Sequence, residues 1–447
     1  CTGDKTLADL DCDELVFHVK APENVAYRLF EQVVGHGLGA LLVDKRANIL
    51  DQLPAASIEA IGYDDDEALL PTDARTFSGY RLLREYFAFP QRFLFFRVRG
   101  LRNAFRRCAS EGCELVFLAS SVDQALEAMV DADSFSLHAT PIVNLFRKRA
   151  DRVPIHEGTF EHQVVVDRAR PQDFEVFSVE RVQGLVVEKK ESTEFLPFYA
   201  GFDAHGRTGH TAFFTVRREP TNRSERQMRS GTRAGYLGSE VFVSLVDTRE
   251  APYPVDVEQL AIEVLATHRD LPQLLPMGDL ARLHCDSFTA IESIRLLAGF
   301  TKPQPAIEEG DHPWRLISHL GLNYLSLFDT PGGTSAGALQ ELLRLYCQPD
   351  DRAAQRQIES IRRLATRPIV RRLPIAGPIC FGRGLEITCE VDESGFAGGS
   401  AFLFASVLER FFAQHVALNT FTQTILRSEN RGEVRRWPSR SGNRIVA

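Results

Sequence analysis

One pentapeptide has the spacing of an activated serine. Gly333-Thr334-Ser335-Ala336-Gly337 fits G-x-S-x-G, the nucleophile elbow of acyl-transfer hydrolases. That elbow needs a strand before the serine, and an acid and a histidine elsewhere. The segment before it, residues 314–328, has helical spacing instead. The single downstream histidine, His415, lies among apolar helix residues and reads as a hydrogen-bonded core side chain. Ser335 therefore reads as a helix cap. The twelve histidines form no HExxH or other zinc spacing, and no Walker A lysine motif is present. Eight cysteines (Cys1, Cys12, Cys108, Cys113, Cys285, Cys347, Cys380, Cys389) stand apart without a CxxC and read as reduced, apolar thiols. The glycines of Gly35-His36-Gly37-Leu38-Gly39 follow a helix, where a dinucleotide fingerprint must follow a strand. The acidic run Asp64 to Glu67 lacks the alternation of a calcium loop and reads as a solvated charge run. No catalytic, cofactor-binding or metal-binding residue is assigned, and no enzyme is expected.

Composition narrows the partners. The chain has 447 residues, 44% hydrophobic and 25% charged, as expected of globular domains. A net charge of -8 argues against general nucleic-acid binding. The polar, basic stretch 219–235 lacks the interleaved aromatics that stack on bases. No apolar run reaches the roughly 20 residues that cross a bilayer, and no signal peptide is present, so a cytoplasmic protein without membrane insertion is expected. The chain opens at Cys1 in mid-character, and an N-terminal part is expected to be missing from it.

The elements that must position any site imply an α+β, multi-domain fold. Residues 1–155 mix helices and strands. Residues 156–305 are β-rich, with strands at 163–167, 174–179, 184–188, 210–217 and 240–246, a spacing that implies a sandwich or barrel-like module. Residues 306–447 form a mixed C-terminal domain, with helices at 314–328, 338–346 and 355–365 and strands at 369–373 and 385–391. Residues 141–149 close the first domain.

The stretch around which the chain is organised is a helix at 400–418. Gly398 and Gly399 break what precedes it, and Ser400 supplies its N-cap. Phe404, Val407, Leu408, Phe411 and Leu418 recur at helical spacing, and Phe402, Leu403, Phe412 and Val416 widen the stripe beyond one face. A strand at 420–426 and a hairpin return at 433–437 follow. An over-wide aromatic stripe implies either a core helix or a helix shared with another subunit. Candidate contacts are Phe404, Phe411, Phe412 and Trp437, with Arg435 and Arg436 at the rim, and Phe93, Phe95 and Phe96 in the aromatic corner at 79–100.

Several stretches then converge on one family. EYFAFPQRFLFF at 85–96, PIVNLFRKR at 141–149, RPQDFEVFSV at 170–179, LATHRDLP at 265–272, WRLISHLGLNYLSL at 314–327, GRGLE at 382–386 and residues 398–438 appear in order. The chain resembles the TssF (VasA, ImpG) family of type VI secretion, whose helical N-terminal region has no counterpart before Cys1. The resemblance implies a non-catalytic baseplate wedge subunit, assembled at the inner face of the bacterial inner membrane. It implies assembly with TssG, a second TssF copy, TssK, TssE and the spike protein VgrG, templating a contractile sheath. A glycan- or effector-binding role for the β-rich middle, and a serine hydrolase built on Ser335, are the competing readings.

Overall fold

A computed structural model describes residues 6–71, 77–108, 112–156, 158–186, 191–198, 212–221, 236, 238–247, 257–276, 278–279, 291–306, 314–316, 336–372, 381–416 and 420–442. They form two compact units. One combines residues 1–142 with 315–447, and the other spans Val143–Trp314. The fold is α+β.

The larger unit is held by one continuous hydrophobic cluster, drawn from both ends of the chain. Its centre is the helix Ala401–His415, about 22 Å long at 1.5 Å per residue. The Ser400 hydroxyl accepts from Leu403 N at 3.1 Å and caps its start. The helix lies between two strands of one sheet, Phe381–Val391 and Thr420–Ser428, which run parallel. Parallel neighbours need a crossover, and this helix is that crossover. The sheet continues outward to Ile361–Arg372 on one side and to Gly432–Arg436 on the other, both antiparallel to their neighbours.

The N-terminal part contributes two antiparallel sheets. One orders Ile58–Ala60, Phe95–Arg99, Glu14–Val19 and Phe135–Leu137. The other orders Ile49–Pro54, Gly37–Val43 and Glu114–Ala119. The helix Ser78–Ala88 buries Leu82, Leu83 and Tyr86 in the common core.

The expected separation of residues 1–155 from 306–447 is corrected here. A helix apolar on all sides needs cover on all sides, and the N-terminal elements supply the half that the C-terminal sheet does not. The segment 355–365 is corrected too. Its helix stops at Glu359, and Ile361–Arg372 is a strand. Pairing with Phe381–Val391, and burial of Ile361 and Leu364, outweigh the helical spacing.

The smaller unit is β-rich. Its main sheet orders His162–Gln163, Ser239–Asp247, Ala212–Pro220, Glu191–Pro197, Glu175–Val186, Gln259–Thr267 and Phe146–Arg149. Leu260, Ile262, Val264 and Ala266 alternate into its core, which also holds Val182, Phe195 and Val243. Phe146–Arg149 pairs with Gln259–Thr267, so this stretch opens the β unit where it was expected to close the previous domain. Ser335 and its two preceding residues, most of 314–328, and 222–235 of the basic stretch lie outside the described residues.

Candidate interaction surfaces

The sequence placed its contact candidates on the central helix, and the structure puts that helix inside. Only Arg410, Gln414 and His415 of its fifteen residues are half-exposed. Phe404, Phe411 and Phe412 are 0% exposed. Phe404 packs 5.3 Å from Tyr86 and 5.6 Å from Phe396. Phe411 lies 6.1 Å from Tyr80 and 5.8 Å from Phe412. His415 sits at the end of this stack, with Nδ1 3.0 Å from the Phe411 carbonyl.

Phe93, Phe95 and Phe96 are buried as well. Phe96 stacks on Phe17 at 5.3 Å and meets Phe117 edge-on at 5.6 Å. Phe93 packs 5.1 Å from Tyr63, with the Arg92 guanidinium over its ring. Phe95 lies against the His18 ring at 4.5 Å. All six phenylalanines therefore serve the unit's own core, and the reading of them as partner contacts is corrected. Dispersion and area burial account for these large side chains without a partner.

The other three candidates lie together on the last hairpin. Trp437 is half-buried and stacked on Phe402 at 5.8 Å. The Arg435 guanidinium donates to the Gly35 carbonyl, tying the hairpin to the N-terminal part. Arg436 is the exposed one. It pairs with Glu386 at 2.9 Å and Glu433 at 3.0 Å.

Behind the aromatic corner lies an ionic cluster that composition alone did not reveal. Glu85 is 2% exposed, Arg81 6% and Arg92 1%. Glu85 pairs with Arg81 at 3.1 Å and with Arg92, and it accepts from Leu69 N and Leu70 N, each at 3.0 Å. Arg92 also donates to the carbonyls of Gly62 and Glu67 at 2.7 and 2.8 Å. Arg81 reaches Asp65 at 3.0 Å. Glu67 accepts from Gly62 N at 2.6 Å. Of the acidic run 64–67 only Glu67 turns inward to this network; Asp64, Asp65 and Asp66 are exposed, as a solvated charge run implies. The signal was in the sequence: Arg81 and Glu85 stand four apart on an apolar helix.

The glycines at 35–39 have a backbone reason. A Cβ at Gly37 or Gly39 would lie 2.2 Å from a carbonyl oxygen, of Val33 and Leu53 respectively. No disulfide joins the described cysteines to one another. Burial pushes the Cys389 thiol up to about 12 and Cys347 up to about 11, so neither is a ready nucleophile. Among the described residues no group of three or more His, Cys, Asp or Glu is placed to hold a metal, and no helix is long and apolar enough to cross a membrane.

What lies outside is different. On the three-stranded sheet, Ile49 (63% exposed) and Val116 share the outward face with Leu41 and Val43. At the free end of the long hairpin Ile361–Arg372/Phe381–Val391, Val370 and Phe381 are 63% and 71% exposed. Neither residue stood out in the sequence, where a lone phenylalanine soon after a Gly-Pro pair carries no period.

An α+β protein whose central helix and aromatic corner are folded inward is the class defined so far. The family described as "Type VI secretion system, TssF" matches residues 1–444, and the chain belongs to it. It is 45% identical over 440 residues to the type VI secretion system component TssF1 of Pseudomonas aeruginosa, covering 97% of this chain and 70% of that relative. Its fold is similar to a chain of the TssK-TssF-TssG baseplate subcomplex solved by cryo-electron microscopy. That likeness has a TM-score of 0.70 at 24% identity, and covers 98% of this chain and 77% of the other.

Proposed function

We propose that this chain is a structural subunit of a type VI secretion baseplate, and that it works by holding neighbours in place. The observation that carries the reading is the family match across residues 1–444, in a chain 45% identical to TssF1. The reading makes TssG and TssK its nearest partners, and the likeness of its fold to a chain of the TssK-TssF-TssG subcomplex supports this. The reading extends to a second copy of the chain, to TssE and to the spike VgrG, in a wedge on which the contractile sheath polymerises. The wedge assembles at the cytoplasmic face of the inner membrane. No reaction centre is part of this role.

The packing supports such a role. A scaffold that carries mechanical load needs subunits that do not deform. The larger unit crosslinks both ends of the chain through one core and a buried ionic cluster. The test is co-expression of the full chain with TssG and TssK from the same bacterium. A complex that survives gel filtration is expected. Three separately eluting proteins would refute the reading. Turnover of an ester substrate, abolished by Ser335→Ala, would instead support the hydrolase.

A further inference from the structure

We propose that the free end of the hairpin Ile361–Arg372/Phe381–Val391 is a docking surface for a carboxylate-flanked apolar segment of another protein. It rests on the assembly reading above and names one surface that reading would use. The hairpin has two faces, and the register defines them. Leu364, Thr366, Pro368, Val370 and Arg372 alternate onto one face, opposite Cys389, Ile387, Leu385, Arg383 and Phe381. The inner part of this face is core: Leu364, Ile387 and Cys389 are buried in the main cluster. Toward its far end the same face carries Val370 and Phe381 without cover, beside Arg372 and Arg383.

Charge says what should cover it. On the opposite face the chain supplies its own partners. Arg367 pairs with Glu386 at 2.7 Å, and Arg371 donates to Gln423 at 3.3 Å. On the apolar face, Arg372 stands directly across from Phe381, and Arg383 directly across from Val370. Among the described residues neither arginine has a carboxylate partner, and both are exposed. An exposed aromatic and a valine between two unpaired guanidinium groups match a segment with one or two large apolar side chains flanked by Asp or Glu. Pro368 and the arginines blunt the outer edge of Ile361–Arg372 against adding a strand, so side chains on the face make the contact.

The test uses the co-expressed complex with TssG and TssK. A photo-reactive phenylalanine analogue at position 381 is expected to crosslink to a TssG or TssK peptide with at least two acidic residues within about five positions of the linked one. Arg372→Glu with Arg383→Glu is expected to weaken assembly at least tenfold and to flatten its salt dependence, with an unchanged melting temperature for the isolated chain. Phe381→Ser should weaken it similarly. If the wild-type complex forms but both variants assemble at wild-type strength, or the crosslink falls within this chain or a second copy of it, the docking surface is refuted and the assembly role stands. If the wild-type complex does not form, both fail.

Discussion

Two clusters of phenylalanine and arginine in the larger unit differ in burial and in the partners of their charges. In the corner around Arg92, Phe93 and Phe96, the rings are 0% exposed and the guanidinium groups are neutralised by Glu85 and by carbonyls. At the end of the long hairpin, Phe381 is 71% exposed, and Arg372 and Arg383 face solvent. The residue types are the same, yet only the first corner stood out in the sequence. The difference lies in who supplies the opposite charge. Where the chain supplies it, the aromatic is core. Where no described residue supplies it, the aromatic stays exposed.

That comparison can be broken or sharpened by substitution. The largest effect is expected at Glu85. Glu85→Ala strands two buried guanidinium groups and two backbone N–H groups, and should cost about 3–5 kcal/mol of unfolding free energy. Phe411→Ala opens a cavity in the common core and should cost about 3–4 kcal/mol. In chemical denaturation both should shift the transition of the larger unit and leave that of the β-rich unit in place. Movement of both transitions together would show that the two units unfold as one.

Smaller effects follow. Ser400→Ala removes the N-cap of the central helix and should cost about 1 kcal/mol. Acidification offers a finer probe. Burial lowers the His18 imidazole from 6.5 to about 4. Between those values the unfolded chain binds the extra proton and the folded one does not. Stability should therefore be full above pH 6.5 and fall as pH drops toward 4. His18→Phe, with its ring still against Phe95, should flatten that part of the profile. The smallest effect is expected at the hairpin end: Phe381→Ser should change stability by less than about 0.5 kcal/mol. A larger loss there would mean that Phe381 belongs to the core after all.

Much of the fold was legible because its period is strong. The central helix, its Ser400 cap and the strand Thr420–Ser428 are where residues 400–426 implied, since apolar spacing and a cap residue act locally. The direction in which the helix buries its surplus was not legible. Phe404 and Phe411 have the same pattern whether the second face meets Tyr86 and Tyr80 of the same chain or a separate subunit. Contacts at a sequence distance of more than 300 residues leave no local signature. Residues 355–365 misled for a related reason: the strand from Ile361 is set by its pairing with Val391, and its own spacing is ambiguous. Arg81 and Glu85 were readable as an i,i+4 pair, but their burial depends on the Gly62–Glu67 loop folding over them. Phe381 and Val370 were hidden because exposure is a property of the assembled sheet.

Amide hydrogen exchange, measured on the free chain and on its complex with TssG and TssK, tests the central claim most directly. The account predicts that residues 401–415 are already strongly protected in the free chain and gain nothing on assembly, while 367–372 and 381–385 are weakly protected alone and slow in the complex. Weak protection of 401–415 in the free chain, rising on assembly, would contradict it and return the central helix to the role of a subunit contact.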